Sequence, residues 1–329
     1  MSIANASLKI SNGPSLKVLP LGLGLMSMSG VYGAADEAEA IATIHRGLDR
    51  GINMLDSADM YGWGHNEELL GRALRGRRNE AIVATKFGQT RGPNGSIGVD
   101  GRPEYVYQAC EASLKRLGID TIDLYYQHRI DDAVPVEETV GAMARLVEQG
   151  KVRALGLSEA RPETIRRACA VHPIAAIQNE YSILYRAEGD ETLNAIQGTE
   201  IVFVGYAPLA RGLLAGSLPL KEGADARRAF PRFEPANLKR NLALVERLSR
   251  FATVKGCSIS ELAIAWVMRQ GQNVIAIPGT KHVKSVDDNI RALEIDLSPD
   301  EIAAIDRLVP VGAAAGERYP PEAMKRAYR

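Results

Sequence analysis

The sequence predicts an α/β fold of the (β/α)8 barrel type, with a small β-hairpin ahead of the barrel and two extra helices between its seventh and eighth strands. Three observations carry this. Eight short apolar runs alternate with segments of helical periodicity, the pattern of a parallel sheet with right-handed crossovers. Eight is the number of strands that closes a barrel. The alternative, an open doubly wound sheet binding a dinucleotide, would place a GxGxxG turn after an early strand, and none is present.

The elements follow in order. LKI and SLKV flank the turn-forming cluster Ser11-Asn12-Gly13-Pro14, which predicts a hairpin outside the main sheet. PLGLGLM is the first barrel strand. A Gly-rich loop leads from it to DEAEAIATIHRGLDRG, where Ile41, Ile44 and Leu48 keep helical spacing and Gly51 stands at the C-terminal stop. The unit then recurs. NMLDS precedes a helix near EELLGRAL, AIVATKF one near EYVYQACEASLKRLG, and DLYYQH one near PVEETVGAMARLVEQG. VRALGLS, AAIQNEY, IVFVGYAPL and NVIAIPGT supply strands five to eight, the last leading into VKSVDDNIRALE. After the sixth strand only DETLNAIQG resembles a helix, so that crossover is short. The extra helices are expected near residues 237–253 and 258–270, behind the Gly/Pro-rich stretch RGLLAGSLPLKEGADARRAFPRF, whose length suggests a functional or a disordered loop. No linker or repeat divides the chain, so residues 1–329 are expected to form one domain.

Composition narrows the function. Forty basic and 40 acidic residues balance, pI is near 7.0, and no block of five like charges occurs, so nucleic-acid and anionic-membrane partners are not expected. Cys110, Cys169 and Cys257 stand far apart without metal-ligand spacing, which suggests neither a disulfide framework nor a metal site. The N-terminus has no basic region followed by an apolar run, and no stretch approaches about 18 uninterrupted apolar residues. A soluble cytoplasmic protein is expected.

Barrels of this type build their sites at the carboxyl ends of the strands. Four polar residues stand there: Asp56 and Tyr61 in LDSADMYGWG after strand two, Lys86 at the end of strand three, and His128 at the end of strand four. Singly, each has a plain structural reading as a helix cap, amphipathic packing, an ion pair or a core histidine. Together they end three consecutive strands, which marks them as candidate catalytic groups.

At these residues the sequence resembles the aldo-keto reductases. The match also takes in Gly22-Leu23-Gly24-Leu25-Met26, Gly156-Leu157-Ser158, Gln178-Asn179, Tyr206-Ala207-Pro208-Leu209, Arg211-Gly212, Ile277-Pro278-Gly279-Thr280 and Asp288-Asn289. HRID, GLSEA and FPRF are similar to the auxin-induced-type and perakine-reductase-like branch. The resemblance implies reduction of aldehydes or ketones by NADPH on a small-molecule carbonyl substrate, with no metal. Tyr61 would be the general acid, its phenol made more acidic by Lys86; Asp56 would hold Lys86 charged, and His128 would orient the carbonyl.

The cofactor contacts implied by the resemblance include Gly24, Leu25, Met26 and Asp56. Ser158 and Gln178 would bind the nicotinamide carboxamide and Tyr206 would stack on its ring. Ala207 and Pro208 would also touch the cofactor, and the loop Leu209, Ala210, Arg211 and Gly212 would clamp the pyrophosphate. Gly279, Thr280 and Lys281, with Lys284 or His282, would take the 2′-phosphate, and Asp288 and Asn289 the adenine. Two positions depart from the family pattern: Glu159 follows the serine where the family has Asn, and Ser285 stands where many members carry Arg. Met26, Trp63 and Arg129 are expected around the substrate, Arg129 paired with Asp131 or Asp132 or receiving an anionic group. The tail after Val311 is expected either to fold over the pocket or to hang free. Two alternatives remain at this stage: a cofactor-binding regulatory subunit with little turnover, and a Schiff-base lyase using Lys86.

Overall fold

The computed structural model describes residues 5–10, 13–218 and 225–329. Strands β1 (Ala6–Leu8) and β2 (Leu16–Val18) pair antiparallel with Ala6 opposite Val18 and form a sheet of their own. Two residues of the expected turn, Ser11 and Asn12, and residues 219–224 of the Gly/Pro-rich stretch lie outside the described residues.

The barrel strands are β3 (Leu23–Gly24), β4 (Met54–Asp56) and β5 (Ile82–Phe87), then, after a hairpin of β6 (Gln89–Arg91) and β7 (Ile97–Val99), β8 (Ile122–Gln127), β9 (Val152–Ser158), β10 (Ile174–Glu180), β11 (Val202–Tyr206) and β12 (Val274–Ile277). Each pairs parallel with the next barrel strand in chain order. The ring closes between the last and the first: Gly22 N donates to Ala276 O at 2.9 Å, Ala276 N to Pro20 O at 3.0 Å and Gly24 N to Pro278 O at 3.2 Å. The predicted eight-stranded barrel is therefore present, and all eight runs are its strands.

Outside the strands run α1 (Glu37–Asp49), α2 (His65–Ala73), α3 (Pro103–Leu117), α4 (Val136–Glu148), α5 (Pro162–Val171), α6 (Ala187–Ala195), α7 (Pro235–Lys255), α8 (Ile259–Met268), α9 (Val283–Ile290), α10 (Pro299–Leu308) and α11 (Pro321–Met324). Asp36 caps α1 by accepting from Glu39 N, and Gly51, at φ +86°, ends it as expected, since a left-handed residue suits glycine there. The extra helices α7 and α8 lie close to their predicted bounds. Every residue of α8 except Ser260 is buried, and the helix packs against β12, α9 and α7, while α7 also packs on α10. Among the described residues no single helix is long and apolar enough to cross a membrane.

The alternation of strand side chains sorts the interior into layers. Met54, Ala84, Leu124, Ala154, Ala176, Val204 and Ile275 meet inside the barrel, and Ala6, Leu8 and Val18 of the hairpin pack into the same cluster. Tyr126 fills the next level. Gly156 makes room for it: a Cβ there would stand 2.4 Å from the Tyr126 ring.

Candidate functional site

Two residues beyond four of these apolar inner positions, at the carboxyl end, the same strand faces supply Asp56 after Met54, Lys86 after Ala84, Gln178 after Ala176 and Tyr206 after Val204. His128 follows Tyr126 and Ser158 follows Gly156 with the same step. The polar layer is thus a register consequence of the apolar one below it. Tyr61 reaches the layer from the turn after β4.

Lys86 is the centre of this layer, with no exposed surface. Its Nζ donates to Asp56 Oδ1 at 2.5 Å, to the Ser57 carbonyl at 2.7 Å and to the Tyr61 hydroxyl oxygen at 3.4 Å. Gln178 Nε2 donates to the other Asp56 oxygen at 2.8 Å. The Tyr61 and His128 rings meet edge to face, 5.9 Å apart. Burial pulls the Lys86 ammonium down, but Asp56 and Tyr61 together hold it above its ordinary lysine value. Burial pushes the Tyr61 phenol up, and Lys86 only partly opposes this, so the phenol lies above its ordinary value, not below it as expected. Burial, with Arg129 and Lys86 adding to it, holds His128 well below the usual imidazole value and therefore neutral at neutral pH. Its Nδ1 is buried without a hydrogen-bond partner.

The layer opens into a cavity of about 680 Å³, inside the range of roughly 300–1,000 Å³ usual for ligand pockets. Of the sequence candidates, its wall includes Gly24, Leu25, Met26, Asp56, Tyr61, Trp63, His128, Arg129, Ser158, Gln178, Tyr206, Ala207, Pro208, Leu209, Arg211, Gly212 and Gly279. Lys86 lies beneath it. Ala210, Thr280, Lys281, Asp288 and Asn289 are not in that wall. Trp63 stands at the rim, 41% exposed, with the Arg91 guanidinium over its ring. Two features suit an extended ligand along the wall. Gly24 brings bare backbone to it, since a Cβ there would come within 3.1 Å of the Ile277 carbonyl, and Ser27 Oγ is a buried hydroxyl with no partner.

Several side chains are engaged otherwise than the sequence suggested. Arg211 turns inward: its Nη2 donates to Glu180 Oε2 at 2.8 Å, and its guanidinium stacks on Phe230 and Tyr319 at 4.8 and 4.6 Å, so a clamp at this loop is left to the backbone. Arg129 pairs with neither Asp131 nor Asp132. It donates to the His128 carbonyl at 2.8 Å, and to Ser158 Oγ and the Tyr319 hydroxyl at 3.3 Å each. Asp131 instead accepts from Gly101 and Ala133 amides. Lys281 Nζ donates to the Gly33 and Ala34 carbonyls, His282 Nδ1 stands 2.8 Å from Glu39, and Asp288 is tied to Arg291.

The tail folds over the pocket. Arg318 and Glu159 are each 1% exposed and form a bidentate pair; Glu159 Oε1 also accepts from the Tyr206 hydroxyl at 2.9 Å and from Glu180 N at 3.0 Å. Burial would raise the Glu159 carboxyl, yet Arg318 draws it down to about 2. Tyr319 lies 3.0 Å from the Tyr206 hydroxyl, and Ala323 and Arg326 complete that wall. The β6–β7 hairpin adds Gln89 and Ile97. Sequence reasoning missed these groups, and Glu159, an acidic residue replacing an amide at a strand end, was the one available sign. Backbone strain collects here too: Trp63, Glu159, Ala207, Ala210 and Arg211 all have φ between +48° and +57°.

A parallel eight-stranded barrel with Asp, Tyr, Lys and His gathered at its carboxyl ends defines a class of oxidoreductases, and the chain belongs to the aldo/keto reductase family, which it matches over residues 20–310. It is similar to the probable aldo-keto reductase 1 of Glycine max, 42% identical over 307 residues, covering 92% of this chain and 89% of that protein. Among solved structures, it resembles the glycerol dehydrogenase of Gluconobacter oxydans with a TM-score of 0.82 and 32% identity, covering 92% of this chain and 94% of the other. An aldo/keto reductase from Klebsiella pneumoniae in complex with NADP and acetate gives a TM-score of 0.74 at 28% identity, covering 96% and 99%.

Proposed function

We propose that the protein is an NADPH-dependent reductase of aldehydes or ketones, acting as one barrel domain over residues 1–329. The observation that carries this reading is the buried Lys86 ammonium bridging the Asp56 carboxylate and the Tyr61 phenol. NADPH, when bound, supplies the hydride that the carbonyl carbon accepts. Gly24, Ser158, Gln178 and Tyr206 would hold its reacting end, and the 207–212 loop and 279–281 its phosphates. The bare backbone at Gly24, the unpartnered Ser27 hydroxyl and the complex of the Klebsiella relative with NADP support that fit.

The remaining work falls to side chains. As negative charge develops on the carbonyl oxygen, the Tyr61 hydroxyl gives it the proton. A phenol above its ordinary value stays protonated at neutral pH, and the fixed ammonium of Lys86 stabilises the phenolate left behind. Asp56 keeps that buried ammonium charged. Neutral His128 donates a hydrogen bond to the carbonyl oxygen and orients it. The environment of Lys86 speaks against the Schiff-base alternative, because that nucleophile must be a neutral amine. The test is NADPH oxidation, followed by absorbance, with a panel of aldehydes, quinones and ketosteroid-like compounds. Turnover that Tyr61→Phe abolishes while NADPH still binds supports the reading; tight NADPH binding with no turnover of any panel member favours a regulatory binding subunit.

A further inference from the structure

Five ionic side chains line the cavity: Asp56, Arg129, Arg211, Arg227 and Arg326. Three are matched by an opposite charge, Asp56 by Lys86 at 2.5 Å, Arg211 by Glu180 at 2.8 Å and Arg227 by Asp225 at 2.6 Å. Among the described residues neither Arg129 nor Arg326 has a carboxylate within 4.0 Å. Arg129 is 8% exposed, its three hydrogen bonds go to uncharged oxygens, and Glu159, the acid whose charge reaches it, is engaged by Arg318. A buried guanidinium without a counterion is unfavourable, and a ligand can supply the missing charge.

Both cations lie on the His128 side of the cavity. Arg129 is next in sequence to His128. Tyr319 bonds to Arg129, and the chain end beyond Arg326 stands beside the same loop, with Arg329 Nε 3.6 Å from Asp132. The expected phosphate positions at Gly212 and Gly279 follow β11 and β12, several strands away around the ring. A second sign of positive charge here is the Tyr319 phenol: burial would raise it, yet Arg211 and Arg129 bring it below its ordinary value.

We propose that the substrate is a carbonyl compound bearing an anionic group, specifically a carboxylate, which Arg129 and Arg326 receive while Tyr61 and His128 address the carbonyl. The proposal rests on the reductase reading above. It makes Arg326, beyond the segment matched to the family, a recognition residue of this chain alongside Arg129.

The probes are 4-carboxybenzaldehyde and its neutral methyl ester, methyl 4-formylbenzoate. The free acid is expected to be preferred by roughly tenfold or more in kcat/KM, as hydrogen bonds to charged groups would give. The preference should lie mainly in KM and shrink as salt is raised. Arg326→Gln should bring the ratio toward one, and Arg326→Glu should turn it toward the cationic 4-(trimethylammonio)benzaldehyde. Equal use of acid and ester, or a preference that the Arg326 variants leave in place, overturns the proposal. Reduction of the ester alone would leave the reductase reading standing and sink this one. If neither aldehyde is reduced, the wider panel above decides the reductase reading. Tryptophan fluorescence titrated with 4-carboxybenzyl alcohol and its methyl ester then decides the inference: tighter binding of the acid, lost in Arg326→Gln, upholds it, and equal binding overturns it.

Discussion

Replacing Asp56 by Asn keeps the shape of the polar layer but removes the negative charge on which Lys86 depends. The remaining acceptors of Lys86 Nζ, the Ser57 carbonyl and the Tyr61 hydroxyl oxygen, are dipoles. Two unit charges about 4 Å apart at an effective dielectric near 20 attract by about 4 kcal/mol, and breaking buried pairs by removing one partner costs about 3–5 kcal/mol. The variant should therefore lose about that much stability at neutral pH. The sign of its pH dependence differs as well. In the native protein the folded-state value of Lys86 is above the ordinary 10.5, so its stabilisation is complete below 10.5 and is lost only as pH rises through the higher value. In Asp56→Asn the Asp56 charge no longer offsets burial, and the folded-state value falls below the ordinary one. Between those two values the unfolded lysine holds a proton that the folded one lacks, so the variant gains stability as pH rises. Urea unfolding of both proteins, from neutral pH up to the ordinary lysine value, reads this directly, and the reduction rate of the variant should fall over the same window as the ammonium is lost. Parallel stability curves and an unchanged rate profile would refute the claim that Asp56 holds Lys86 charged.

Tyr61→Phe should lower the carbonyl reduction rate by about 10²–10⁴-fold, with NADPH affinity by fluorescence nearly unchanged. Asp59, beside Tyr61, is pushed up to about 8 by burial and by Glu67, and its Oδ1 has no partner. Between the ordinary 3.8 and about 8 the folded state holds a proton that the unfolded chain has lost, so stability falls as pH rises; Asp59→Asn should raise the melting temperature at neutral pH, by at most about 4 kcal/mol of linkage, and flatten that dependence. Arg318→Ala leaves the buried Glu159 without its bidentate partner and should cost about 3–5 kcal/mol in urea unfolding, whereas Arg318→Met with Glu159→Gln should recover much of it.

The barrel was legible because its strands are nearly continuous apolar runs and their number fixes closure. The same regularity brought Asp56, Lys86 and His128 into view, since a polar residue ending an apolar strand is conspicuous. What stayed hidden lacked periodicity. The segment Gln89–Val99 is polar and Gly-rich and pairs only through its backbone, so no alternation marked β6 and β7. Arg318, in a Gly/Ala-rich and charged tail, looks like solvent-facing chain until its partner 159 residues earlier is known. The direction of Arg211 depends on a positive φ that no side-chain pattern announces. The expected acidification of Tyr61 failed because the sequence shows the neighbouring cation but not the depth of burial.

The inward layering of the strands sets how this protein tolerates change in length. Lys86 faces the reacting site only because it stands two residues from Ala84; its neighbour Thr85 faces outward, bonded to Glu67 at 2.6 Å. Deleting one residue within β5 would exchange those faces, sending an ammonium into the helix layer and a threonine into the site. Insertions in the connecting loops leave that parity untouched. Evolution and engineering can thus lengthen the rim freely to change what enters the barrel, while the strands beneath admit substitution but not a shift of frame.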